Sequence, residues 1–160
     1  MTGAADSSAP AIRTEPLFSM QLAVDPLVAP GGPAGASRRV GVIAGGSFEG
    51  PGLRGVVLPG GVDWQIVRSD GAILLDARIV LQTSDAALIA MTYTGLRHGP
   101  PEVMARLGRG EAVDPAAYYF RIVPSFSTDD PRYDWLNRIV AIGTGDRAAR
   151  GPHYRIHRVI

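Results

Sequence analysis

The residue types suited to acid–base chemistry concentrate between Gly45 and Tyr93: Glu49, Asp63, Asp76, Arg78 and Tyr93. A carboxyl that faces a second carboxyl or an apolar wall holds its proton to higher pH, so it can give and take protons near neutrality. An arginine grips an oxyanion in a two-pronged fork, and a tyrosine donates to a developing enolate oxygen. Together these groups suit isomerisation, elimination or cyclisation of a small, rather apolar carbonyl or phenolic molecule, without a cofactor. In this reading Asp63 or Asp76 is the base, Tyr93 the acid or oxyanion donor, and Arg78 the electrostatic partner. Glu49, set among the glycines of Gly45–Pro51, is a further candidate base; the same carboxylate would also serve as a loop cap. Arg54, Trp64, Met91, Tyr119, Trp135 and Asn137 are candidate ligand contacts, Trp64 only if its strand is turned the other way. The aromatics have a structural alternative as core, and Asn137 has one as a tie to backbone.

Composition removes several chemistries. All 16 basic residues among the 160 are arginine, which excludes a lysine Schiff base and a P-loop lysine. With no cysteine, thiolate catalysis, disulfides and thiolate-ligated metals are excluded too. His153 and His157 share a strand face with the cationic Arg155, a poor metal site, and His98 beside Gly99-Pro100 reads as a loop histidine. The net charge of +1, with both signs interspersed, argues against a nucleic-acid or anionic-membrane partner. No apolar run reaches the roughly 18 residues of a membrane span. Met1–Pro10 lacks the pattern of a signal peptide, so the expectation is a soluble cytoplasmic protein.

The elements that must position these residues are short strands. Residues 1–16 lack periodicity and read as a flexible arm before a single domain at 17–160. Strands are expected at 17–24, 39–44, 53–58, 62–68, 72–83, 86–94, 118–123, 136–143 and 153–159, with loops at 25–37 and 129–134. One short helix should begin at Pro100-Pro101, with Glu102 in its first turn and Gly108 or Gly110 ending it. Nine strands at such spacing, with connections too short for crossovers, imply an all-β, antiparallel up-and-down barrel able to hold one small ligand.

Register follows from the turns. Read as a two-residue turn, Asp70-Gly71 sets Gln65 opposite Asp76 and Asp63 opposite Arg78. The next hairpin, closing at Ser84-Asp85 or Asp85-Ala86, sets Tyr93 opposite Asp76 or Arg78. One face then carries Asp63, Gln65, Asp76, Arg78, Met91 and Tyr93; the other carries Trp64, Ile66, Leu75, Ile79, Leu81 and Leu88. The mixed face is a ligand cavity, a solvated exterior or a subunit interface. Function branches the same way, into an enzyme, a non-catalytic binding barrel or a structural subunit.

Gly45–Gly55 followed by Pro59–Trp64, with Leu75–Arg78, Gly95–Pro100, Tyr118–Arg121 and Tyr133–Asn137, resembles the signature of a family: the domain of unknown function thirty-two thirty-seven, small bacterial proteins. The similarity runs from about Leu17 to the C-terminus. It departs at Asp85-Ala86-Ala87, where a glycine is expected after the aspartate. The resemblance implies a lipocalin-like antiparallel barrel that associates as a homo-oligomer. It assigns no catalytic residue.

Overall fold

The computed structural model describes residues 10–160. Ten strands form one antiparallel sheet: β1 (Thr14–Val24), β2 (Val28–Gly31), β3 (Ser37–Gly50), β4 (Leu53–Val57), β5 (Val62–Val67), β6 (Ile73–Thr83), β7 (Leu88–His98), β8 (Tyr119–Ser127), β9 (Ala141–Ala148) and β10 (Gly151–Val159). The order β1-β10-β9-β8-β7-β6-β4-β3 is closed by a β1–β3 pairing. β4 and β5 lie end to end between β3 and β6, and β2 continues the edge of β3 beyond β1. The result is a closed barrel of eight strand positions, which leaves no long unpaired edge. Among the described residues no helix is long and apolar enough to cross a membrane.

Several expected boundaries move. Of the expected arm, residues 1–9 lie outside the described residues, and Thr14–Pro16 open β1. The loop expected at 25–37 contains the short β2. The strand expected at 136–143 is two elements: a 3-10 helix at Pro131–Arg138, begun by Asp130 accepting from the Arg132 N–H, and β9 from Ala141. The expected helix, α1, spans Pro101–Gly108 with a proline in its first turn and Leu107 buried.

β3 does not end at its glycines. Gly45 (φ 152°) and Gly46 (φ 155°) carry the strand through a bend that side-chain-bearing residues rarely adopt, and a Cβ on Gly46 would sit 2.3 Å from the Gln21 carbonyl oxygen. Pairing with β1 shifts at this point, with Ala23 opposite Gly45 but Val24 opposite Ile43. The inward positions therefore change from Arg39, Gly41 and Ile43 to Phe48.

The interior divides along the barrel. One half is apolar, with Phe18 against Phe48 and Phe126 at ring distances of 5.4 and 5.9 Å, and Tyr133 and Leu136 buried at its end. Each fully buried large apolar side chain here stabilises by roughly 1.5–3 kcal/mol, which offsets the burial of charge in the other half.

Candidate active site

The polar half is built by five inward-facing stretches. β5 supplies Asp63 and Gln65, both 5% exposed; β7 supplies Tyr93 and Arg97 at 2% and 3%. β3 supplies Arg39, β9 supplies Arg147 and β10 supplies Tyr154. Two adjoining cavities of about 220 and 210 Å³ share Leu27, Arg97 and Arg147 as walls. The first reaches Asp63, Gln65 and Tyr154; the second reaches Arg39 and is covered by Met104 and Leu107 of α1.

Hydrogen bonds join three of these groups in a chain and the two tyrosines in a pair. Gln65 Nε2 donates to Asp63 Oδ2 at 2.9 Å, and Arg39 Nε donates to Gln65 Oε1 at 2.7 Å. Asp63 Oδ1 has no partner among the described residues, nor do Arg97 Nε and Arg147 Nε. The Tyr154 hydroxyl donates to the Tyr93 hydroxyl at 3.4 Å, their rings edge to face. Arg97 lies over the Phe120 ring at 5.2 Å. The Arg147 backbone N–H donates to the Tyr118 hydroxyl at 2.9 Å.

The electrostatics follow from burial. Asp63 is raised above the ordinary carboxylate value because burial outweighs the Gln65 hydrogen bond, the pull of the nearby Asp76 backbone N–H and the Arg97 and Arg39 charges. Arg97 is pushed down to about 10 by burial and then by the like charges of Arg147 and Arg39. Burial raises both tyrosines, so they are neutral donors at physiological pH. A carboxyl held above its ordinary value thus faces a cationic wall and two phenols.

The sequence-derived register is off by one residue at each of two hairpins. Asp63 pairs with Ala77 and Trp64 with Asp76; Ala77, in turn, pairs with Tyr93 and Arg78 with Thr92. The first loop has three residues, Ser69-Asp70-Gly71, with Arg68 N–H bonded to the Ala72 carbonyl and Gly71 at φ 84°. The second, Ser84-Asp85-Ala86, repeats it, with Thr83 N–H bonded to the Ala87 carbonyl and Ala86 at φ 69°. A one-residue slip inverts a strand. Two slips cancel, so Asp63, Gln65, Met91 and Tyr93 share the interior, while Asp76 and Arg78 are exposed outside and Leu75, Ile79 and Leu81 face in.

The remaining candidates lie elsewhere. Trp64 is 48% exposed on the outer wall. Glu49 and Arg54 oppose each other on exposed positions of β3 and β4, in an outer groove of about 520 Å³ that is wider than the interior cavities but holds none of the unpartnered buried polar atoms. Tyr119 is exposed, stacked on His98 at 5.0 Å with Arg121 over its ring. Trp135 packs half-buried against the apolar core. Asn137 ties the Thr128 backbone, accepting from its N–H and donating to its carbonyl at 2.8 Å each. Arg39, Arg97, Arg147 and Tyr154 were not singled out. Extending the alternation Ile89-Met91-Tyr93-Gly95 by two residues reaches Arg97.

Fold and site together define a closed antiparallel barrel with a small, charged, ligand-sized interior. The chain belongs to the family described as Protein of unknown function (DUF3237), whose model matches residues 12–159. It is 35% identical over 151 residues to a UPF0311 protein of Rhodopseudomonas palustris, covering 94% of this chain and 99% of that one. A beta-barrel like protein from Acinetobacter baumannii superposes with a TM-score of 0.84 at 38% identity, covering 97% and 100% of the two chains. An enzyme from Penicillium herquei superposes with a TM-score of 0.73 at 25% identity, covering 96% and 99%. A Penicillium herquei protein named as a hydroalkoxylation enzyme is 30% identical over 102 residues, 64% of this chain and 53% of that protein.

Proposed function

We propose that the chain is a cofactor-independent enzyme that adds an O–H group across a carbonyl-conjugated C=C bond, or reverses that addition, with Asp63 as the proton shuttle. The observation that carries this reading is the buried Asp63 carboxyl, whose Oδ1 is unpartnered at a cavity wall while Oδ2 is held by Gln65. The similarity to an enzyme from Penicillium herquei and to a named hydroalkoxylation enzyme supports it.

The steps balance without a redox partner. Asp63 carboxylate takes the substrate hydroxyl proton as the oxygen attacks the β-carbon. The C=C electron pair moves onto the carbonyl oxygen, where Arg97 and Arg147 stabilise the negative charge. Asp63 then returns the proton to the α-carbon and is a carboxylate again. A raised carboxyl is a stronger base than a free one, and its conjugate acid is still able to protonate an enolate.

The test uses an ortho-hydroxychalcone whose hydroxyl lies on the benzoyl ring, ortho to the carbonyl, which closes to a flavanone by this addition. The wild-type protein is expected to accelerate closure and to favour one enantiomer. Asp63→Asn should lower the rate by about 10²–10⁴-fold with an unchanged circular dichroism spectrum. A racemic product at the buffer rate, or a fully active Asp63→Asn protein, would sink the reading.

A further inference from the structure

We infer that the cavity takes its ligand as an anion, through a planar oxyanion (a carboxylate or a phenolate) seated between Arg97 and Arg147. This rests on the proposed use of the cavity as the substrate site: the seat that receives the carbonyl oxygen as it turns negative is the one that holds a stable oxyanion.

The inner wall carries three guanidinium groups, Arg39, Arg97 and Arg147, against one carboxylate, Asp63. Arg150 and Asp25 also line the first cavity, both on exposed positions, and cancel each other. Other partners for the inner arginines are engaged elsewhere. Asp146, the neighbour of Arg147, pairs with His153 Nδ1 at 3.5 Å and Arg155 at 3.3 Å. The side-chain carbonyl of Gln65 is taken by Arg39. Arg97 Nε and Arg147 Nε are buried without partners. A buried cation stripped of water and left unpaired is unfavourable, and an oxyanion removes that penalty.

The arginines are held for this task. The Phe120 ring backs Arg97, and Tyr118 fixes the Arg147 backbone. Both side chains wall the two cavities at once, so an anionic group between them can extend an apolar body toward Leu75 and Phe120 on one side or Ile73 and Leu107 on the other. A cavity on the order of 150 Å³ admits a benzene ring, so either compartment suits a single-ring body.

The experiment is calorimetric titration of the full-length wild-type protein with benzoate and para-nitrophenolate, each against its neutral isostere, benzamide or para-nitroanisole, at one ionic strength. At least one anion is expected to bind, with its isostere weaker by roughly tenfold or more. Benzoate alone identifies a carboxylate ligand, and para-nitrophenolate alone a phenolate; either supports the inference. Arg97→Met and Arg147→Met should each weaken that anion by roughly tenfold or more. Binding of neither anion, or isosteres that bind as well as the anions, would overturn it, and this comparison needs no variant to fold. Asp63→Asn should keep or strengthen anion binding. Anion binding without turnover removes the proposed reaction and leaves the anion site; turnover without anion preference does the reverse.

Discussion

Gln65 joins Asp63 to Arg39, donating to one at 2.9 Å and accepting from the other at 2.7 Å. The bridge fixes the amide, orients the carboxyl and leaves Oδ1 as its open oxygen. It also lowers the Asp63 pKa against the larger upward push of burial. Gln65→Leu removes a bond to the charged form, so the ascending limb of a pH–rate profile for ortho-hydroxychalcone closure should move to higher pH. Denaturant melts should show a loss of about 1–3 kcal/mol, since both partners are left without their bonds. An unmoved limb would mean that Asp63 does not set it.

Asp63 also makes a signed prediction for stability. Its folded pKa lies above the ordinary 3.8, so the folded chain binds this proton more tightly than the unfolded chain. Its stabilising contribution is full below about 3.8 and is lost as pH rises through the folded value. The wild-type minus Asp63→Asn difference in unfolding free energy should therefore fall with rising pH and then level off. Asp85 behaves oppositely: hydrogen bonds from Thr83 and Tyr133 lower it, so its contribution is present above 3.8 and lost as pH falls through the folded value. Urea melts between about pH 3 and pH 8 would separate the two.

The barrel was legible because inward and outward residues alternate along most strands; Ile73–Thr83 shows this in full. The 3-10 helix was not, because the polar residues 129–134 read as a turn and Leu136 with Ile139-Val140-Ala141-Ile142 reads as one apolar strand. Arg97 and Arg147 were missed for a different reason. The expected strands stopped at Thr94 and Gly143, short of Arg97 and Arg147, because an arginine at the end of an alternating run reads as a solvated terminus. Asp63 and Tyr93 were placed together through two errors of register that cancelled, and Asp76 and Arg78, on the strand between, carry the whole error.

That inversion has a direct test. Asp76 and Arg78 are exposed on the outer wall, and neither forms a side-chain hydrogen bond or ion pair among the described residues. Asp76→Asn and Arg78→Ala should each change stability by no more than about 0.5 kcal/mol and leave benzoate binding and chalcone closure as they are. A loss of closure from Asp76→Asn, with the fold intact, would restore the other face as the site.

The two loops form a matched pair with one difference. Gly71 and Ala86 occupy the same left-handed position, at φ 84° and 69°, but only glycine does so without a Cβ clash. A left-handed alanine costs roughly 1–2 kcal/mol, and glycine's greater loss of chain entropy returns about 0.5–1 kcal/mol. Ala86→Gly should thus raise stability by about 0.5–1 kcal/mol, and Gly71→Ala should lower it by a similar amount. The denaturant midpoint should move with an unchanged slope in both. If Ala86→Gly were destabilising, the loop would not be the three-residue turn that sets the β6–β7 register.

Arg97 sets stability against ligand binding. At about 1.4 kcal/mol per pH unit, the drop from 12.5 to about 10 corresponds to roughly 3–4 kcal/mol of unfavourable burial and repulsion by Arg147 and Arg39, already net of the attraction of Tyr154 and Asp63. The Phe120 contact returns about 1–2 kcal/mol in a desolvated setting. The remainder favours replacement by an uncharged chain of similar reach. Arg97→Met should therefore melt at the same or a higher temperature than the wild type while losing benzoate affinity. Benzoate should raise the melting temperature of the wild type and not of the variant, because a ligand stabilises only the state that binds it. A less stable Arg97→Met protein would show that Arg97 is held by interactions stronger than its burial penalty, and that its charge serves the fold before it serves a ligand.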